Sequence, residues 1–249
     1  MADDMHREPV IVAMGGSTKP EPALSWKGLW RVITTPAELF VKLREYPRVL
    51  IALLAAVVVF CIYILLVLDK MIALQMTEMT NANPGLDPNL IPKGVLELTT
   101  FIFGSLTIIA IPLITAVFAI FCGNFIFGGK ASFKQVLSVA AYVNIIYMVG
   151  LLATVPLVLA TDSMAVSYSL AAFFPELPIK SVAYVALSKV GVFYIWEFVV
   201  AAIGFSTMYE FPRSRGYIIA ALSVGLMSLL HVAFTALGSL IQVGVNTGG

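Results

Sequence analysis

The sequence has little charge for its length. Asp, Glu, Lys and Arg make up 12% of its 249 residues, and hydrophobic residues make up 60%, whereas soluble domains carry about 25% charged residues. The formal net charge is only +1, so the chain lacks the strong basic field with which proteins attract nucleic acid. We therefore expect no nucleic-acid partner, and the composition excludes an ordinary soluble domain.

Cysteine, histidine and catalytic motifs are scarce as well. The only cysteines, Cys61 and Cys122, fall inside apolar runs, which excludes a disulfide framework or a zinc site. The chain contains no HExxH, no GxSxG and no phosphate loop, and Gly128-Gly129-Lys130 is better read as a tight turn. We therefore predict a protein that is not an enzyme and that uses no metal and no cofactor.

The apolar residues form blocks of the length that crosses a membrane. A helix needs about 20 apolar residues to span the hydrocarbon core. Blocks of this kind occur at about 49–68, 101–127, 136–160, 182–208 and 217–243. The sequence therefore predicts an all-α membrane protein with five transmembrane helices in a domain at 49–245.

The N-terminal part divides into a polar tail and an amphipathic segment. Residues 1–25 contain scattered Pro and Gly, and we expect a disordered cytoplasmic tail; the apolar stretch Val10–Met14 is far too short for a signal peptide. The segment 26–48 mixes tryptophan with basic residues, and Thr35-Pro36 is typical of a helix start. This pattern predicts a short amphipathic interfacial helix, which serves either as an anchor or as a docking surface for a cytosolic partner.

The distribution of Lys and Arg predicts the orientation. Eleven of the 15 basic residues fall on the side of the N-terminus and three on the opposite side, with Lys189 counted inside the fourth span. We therefore expect an N-terminus in the cytoplasm and a C-terminus outside, in a bacterial inner membrane. On this reading, the residues of a cytoplasmic docking surface are Trp30, Phe40, Lys42, Arg44, Lys130, Lys134, Arg213 and Arg215.

Three motifs, in order along the chain, resemble the bacterial form of the Yip family of polytopic membrane proteins. They are Pro36-Ala37-Glu38-Leu39-Phe40 with Tyr46-Pro47, Phe127-Gly128-Gly129-Lys130-Ala131-Ser132-Phe133-Lys134-Gln135 with Ala141-Tyr142, and Phe193-Tyr194-Ile195-Trp196 with Ile203-Gly204. The resemblance covers about residues 28–240. It implies a five-helix membrane domain with a cytosolic N-terminus, a link in eukaryotes to Rab-type GTPases and vesicle traffic, and no established catalytic site.

Polar groups inside the apolar blocks form a second candidate site. An ionisable residue in a span is costly and therefore indicates a function by default. The fourth block contains Glu197 and Lys189, and the fifth contains His231. Depths that agree within one helical turn and faces rich in small residues (Ala201 and Gly204 on one, Gly225 on the other) predict that Glu197 and His231 meet near the midplane. Asn124 and Asn144 add amides in the inner halves of the second and third spans.

Two interpretations of the function remain open at this point. The first is a membrane-organising or partner-binding accessory subunit in trafficking or export, whose intramembrane polar groups only hold helices together. The second is a small transporter or channel component that uses the region around Glu197 and His231. The expected partners are the lipid bilayer and another membrane or membrane-associated protein, and a homo-oligomer is a further alternative.

Overall fold

The computed structural model describes residues 26–82, Gly85, Asp87, 90–161, 163–179 and 181–247, with only the backbone for 82 and 238–247. The tail predicted at residues 1–25 lies outside the described residues. Within this part of the chain all regular structure is helical, apart from one isolated bridge between Ser169 and Gly191.

The α-helices follow one another with short connections. They are α1 (Lys27–Thr34), α2 (Pro36–Glu45), α3 (Leu50–Ala82), α4 (Lys93–Ile120), α5 (Phe133–Thr161), α6 (Val182–Ser188), α7 (Val192–Tyr209), α8 (Arg213–Ala220) and α9 (Leu226–Thr247). A π-helical segment, Phe121–Ile126, continues α4, and another, Ala221–Gly225, joins α8 to α9.

Five of these helical units are long and apolar enough to cross a membrane. They cover Leu50–Asn81, Lys93–Ile126, Phe133–Thr161, Val192–Tyr209 and Arg213–Leu237. Short helices precede the first of them. The predicted fold class, an all-α membrane protein with five transmembrane helices, is therefore confirmed.

Helix α5 is the centre of the bundle. It packs against α1, α2, α3, α4 and α7. Every residue from Val136 to Ile146 is buried, as expected of a helix that is apolar on all sides and surrounded by others. The interior of the protein is thus built around one helix rather than around a central channel.

The segment before the first span is two helices, and it packs onto the bundle. Pro36 occupies the first position of α2, where its missing N–H costs nothing. Helix α1 contacts α5, and α2 contacts α5 and α7. Val32 and Phe40 are fully buried. Part of the apolar face of this segment is therefore covered by protein.

The fourth apolar block is a broken helix. The sequence predicted one span over about 182–208, but the structure has α6 and α7 separated by Lys189, Val190 and Gly191. Across the break, Leu170 N–H donates to the Val190 carbonyl at 2.9 Å and Val192 N–H donates to the Tyr168 carbonyl at 3.0 Å. The loop residues Tyr168 and Leu170 thus form hydrogen bonds with backbone groups that the break leaves without helical partners. Irregular backbone at membrane depth is tolerated only where the protein satisfies such groups.

A proline inside α4 also frees a backbone carbonyl. Pro112 has no N–H, so the carbonyl of Ile108 one turn earlier loses its helical donor. The buried Asn144 side chain of α5 donates its Nδ2 to that carbonyl at 3.5 Å. Asn144 therefore joins α4 to α5 at the place where the proline opens the helix.

This arrangement predicts a coupling between Asn144 and Pro112. Asn144→Leu should lower the free energy of unfolding by roughly 0.6–1.7 kcal/mol, the range for interhelical hydrogen bonds in membranes. In a Pro112→Ala background the Ile108 carbonyl regains a helical donor, so the same change should cost less. Unfolding of the four proteins in bilayer nanodiscs gives the coupling energy. An equal cost in both backgrounds would rule out the assignment.

Candidate functional site

The predicted pair of Glu197 and His231 does not form. Within the described residues no hydrogen bond or ion pair joins them, and α9 packs against α6. The fifth span starts at Arg213, earlier than the sequence indicated. His231 is therefore ~27 Å along its helix, whereas Glu197 is ~18 Å from the matching end of α7, at ~1.5 Å per residue.

Lys189 lies between the two groups that were predicted to meet. Its Nζ donates to the Tyr194 hydroxyl at 2.9 Å, and it interacts electrostatically with both Glu197 and His231. Lys189 stands in the break, outside the span that begins at Val192. Burial lowers the pKa of its ammonium group, and the Glu197 carboxylate opposes that lowering.

The surroundings of Glu197 are tightly packed. The carboxylate lies beside a cavity of about 10 Å³, which is room for about one water molecule. Asn144, Pro112 and Thr115 line the same cavity. Asn144 thus belongs to the Glu197 region, as the sequence indicated. The space is far too small for a substrate.

Asn124 lies elsewhere, in the π-helical segment that ends the second span. Its Nδ2 donates to the Ala131 carbonyl at 2.9 Å, while its Oδ1 is buried and has no hydrogen-bond partner. Asn124 therefore shapes the turn between α4 and α5. It does not join Asn144, so the predicted set of intramembrane polar groups is divided between two places.

The small-residue contact between the fourth and fifth spans uses other residues than predicted. Gly204 faces Val139 of α5 and Phe40 of α2, and around Gly225 there is open space. The close approach occurs at Gly216 of α8, where a Cβ would overlap the Ala202 carbonyl oxygen and crowd Ser206 of α7. The helices meet near their shared turn because only a short connection separates them there.

The end of the bundle that carries α2 holds a large cleft, named here the α2-end cleft. It measures about 530 Å³ and is lined by Arg44 and Glu45 of α2, by 128–131 and Gln135, and by 208–211. Three separate parts of the chain therefore form its walls. Its volume is within the range of about 300–1,000 Å³ typical of ligand and peptide pockets.

Arg44 holds these three parts together. It forms an ion pair with Glu210 at 2.8 Å, and its backbone carbonyl accepts a hydrogen bond from Gln135 Nε2 at 2.7 Å. Its Nη1 also reaches the Thr207 carbonyl at 3.5 Å. Since the Glu210 side chain is 72% exposed, the ion pair itself contributes little stability. Its effect is to position the cleft walls relative to one another.

Most of the predicted docking residues are exposed at this end, with one exception. Trp30, Lys42, Lys130, Lys134, Arg213 and Arg215 are exposed, and Arg44 is half-buried. Arg215 also lies over the Phe211 ring at 5.1 Å. Phe40 is fully buried, so its assignment to a docking surface is wrong: its ring fills the space beside Gly204.

Sequence reasoning missed the role of Glu210. This residue ends α7 in the left-handed conformation, with φ of 54°, which few non-glycine residues adopt. The backbone there turns sharply, with Phe211 N–H donating to the Ser206 carbonyl at 2.9 Å. Pro212 after the helix marked a helix end, but nothing in the sequence indicated that a charged residue would take the position of glycine.

The described residues contain no group of three or more His, Cys, Asp or Glu side chains that could hold a metal ion. The residues predicted from the sequence thus fall mainly at two sites of different character: a tightly packed polar region at Glu197 and an open, charged cleft at the α2 end.

Comparison with known proteins gives one match. A family model described as the Yip1 domain matches residues 30–235. No curated protein and no solved structure matches the chain. The matched range runs from α1 into α9 and thus takes in both sites.

Proposed function

The chain belongs to the Yip1 domain family, and from that premise we propose that it is a non-enzymatic accessory subunit in trafficking or export, which binds a partner protein at the α2-end cleft. The observation that carries the proposal is the cleft itself. It has room for several side chains, and its walls bring Arg44, Lys130 and Glu210 to one place. No other described cavity combines this volume with charged walls.

The charge around the α2-end cleft defines the chemistry of the partner. The exposed charged side chains at this end include five basic ones, Lys42, Lys130, Lys134, Arg213 and Arg215, against three acidic ones, Glu38, Glu45 and Glu210. Complementary charge steers association and suppresses wrong partners. We therefore propose an acidic segment of a membrane or membrane-associated protein as the occupant of the cleft.

The alternative function, transport through the region of Glu197, receives no support from the geometry. The cavity beside Glu197 has room for about one water molecule, and the predicted partner His231 is elsewhere. The hydrogen bond of Lys189 to Tyr194 and the interhelical hydrogen bond of Asn144 give structural roles to three of the polar groups found there. The packing of the interior thus favours a structural role for these polar side chains over a role in transport.

The proposal includes an orientation in the membrane. We propose that the α2 end faces the cytoplasm of a bacterial cell, with the C-terminus outside, because the basic loops cluster at the α2 end and cytoplasmic loops are enriched in Lys and Arg. A partner of cytosolic origin captured at the cleft would support this orientation, whereas a periplasmic partner would reverse it.

Site-specific photocrosslinking in native membranes tests the proposal. A photoreactive amino acid at position 130 or 134 should give a discrete crosslinked product with one partner. The same amino acid at position 106, an exposed leucine of α4, and at position 177, in the loop after α5, serves as the control. Equal product at all four positions would contradict the proposal, and a product containing only a second copy of the chain would replace the partner with a homo-oligomer.

A further inference from the structure

A second cavity lies at the end of the bundle opposite α2. It measures about 230 Å³ and is named here the tyrosine cavity, after Tyr63, Tyr147, Tyr168 and Tyr194 in its walls. Its lid is the loop 163–169, which is held across the break between α6 and α7 by the two backbone hydrogen bonds described above. Tyr168 fixes the lid further, because its hydroxyl donates to the Ala153 carbonyl at 3.0 Å.

Most hydroxyl groups around the tyrosine cavity are already satisfied. Ser167 and Ser169 bond to each other at 2.7 Å, and Thr154 donates to the Leu151 carbonyl at 2.7 Å. Two tyrosines differ. Tyr147 lines the cavity, and its hydroxyl has no hydrogen-bond partner among the described residues. The hydroxyl of Tyr194 accepts from Lys189, which leaves its own proton without a described acceptor.

The lining of the tyrosine cavity is uncharged. The adjacent charged groups are Lys189, on the hydroxyl of Tyr194, and Glu197, which interacts electrostatically with Lys189. An ionised ligand would therefore have no counter-ion among the lining residues, and burying such a group is costly.

Size and lining define the ligand class. The cavity has room for several water molecules, which suits a small headgroup but not a complete lipid. Leu151, Val158, Met164 and Val166 supply apolar walls. We propose that the tyrosine cavity binds the glycerol-ester end of an uncharged acylglycerol, whose oxygens accept the free hydroxyl protons of Tyr147 and Tyr194. This inference does not depend on the proposed function.

Photolabelling in nanodiscs tests the inference, with a monoacylglycerol that carries a diazirine near its ester as the probe. Labelling of the lid 163–169 should fall about tenfold in Thr154→Trp, which fills the cavity, and about fivefold in Tyr147→Phe, which removes one hydrogen bond worth about 1 kcal/mol. The matched controls are Thr107→Trp on the exposed face of α4 and Tyr217→Phe on α8, and both should label like the wild type.

Competition distinguishes the ligand class. Unlabelled monoolein should remove the lid labelling, and dioleoylphosphatidylglycerol at the same concentration should not. Stronger competition by the anionic lipid would overturn the uncharged class. Uniform labelling of all lipid-facing helices would overturn the assignment of the tyrosine cavity as the binding site. Labelling of Tyr147→Phe at the wild-type level would overturn it as well. Thermal unfolding identifies a misfolded Thr154→Trp, in which case the Tyr147→Phe result decides.

Discussion

Phe40→Ala is expected to lower the free energy of unfolding by about 3–5 kcal/mol, the range for removing a fully buried aromatic ring. The Phe40 side chain is 0% exposed and lies in the space left by the missing side chain of Gly204, where α2 meets α7 and α5. Alanine would leave a cavity that these three helices can close only by moving. Denaturant unfolding of purified protein in nanodiscs, followed by tryptophan fluorescence, gives the loss directly.

Trp30→Ala is the matched control for this prediction. Trp30 is in the same N-terminal segment but is 63% exposed, so its removal should change the unfolding free energy by less than about 0.5 kcal/mol. Equal small losses for the two variants would show that the segment lies on the lipid surface, as an interfacial helix would. The structure predicts a clear difference because it places the apolar face of α2 against protein.

Gly216→Ala is the second change with a large expected effect. A Cβ at this position would overlap the Ala202 carbonyl oxygen, which is part of the α7 backbone and cannot rotate away. Overpacking of this kind costs about 1–3 kcal/mol. The same change also separates α8 from α7 at the point where the two helices approach each other most closely. Thermal unfolding of the variant should show an earlier transition than that of the wild type.

Gly225→Ala gives the opposite expectation. Around Gly225 there is open space within 4 Å of a new Cβ, and alanine favours helix over glycine by about 0.5–1 kcal/mol. The two alanine variants should therefore shift the unfolding transition in opposite directions. If both destabilise equally, the close contact at Gly216 is not where the structure places it.

The spans could be predicted from the sequence because they depend on a local property, the length of each apolar block. The same local reading located the start of α2 at Pro36. Tertiary placement could not be read in this way. The amphipathic pattern of 26–48 is compatible with lipid on one side or with protein, and only the packing of Phe40 beside Gly204 distinguishes them.

The candidate pair of Glu197 and His231 failed for a related reason. The depth estimate depended on where each helix begins, and helix ends are the least certain part of a sequence prediction. The break after α6 was also hidden, since Lys189, Val190 and Gly191 lie inside an otherwise apolar block. A glycine two residues after a lysine was the available signal, but a single glycine in a helical pattern is tolerated too often to mark a break.

Binding at the α2-end cleft is the central claim, and the crosslink yield from position 130 tests it most directly. With the photoreactive residue fixed there, the yield should fall at least about tenfold in the double variant Lys42→Glu and Lys134→Glu, because reversed charge repels an acidic partner. Both side chains are exposed, so the unfolding transition should remain that of the wild type. An undiminished crosslink yield in this folded variant would contradict the account.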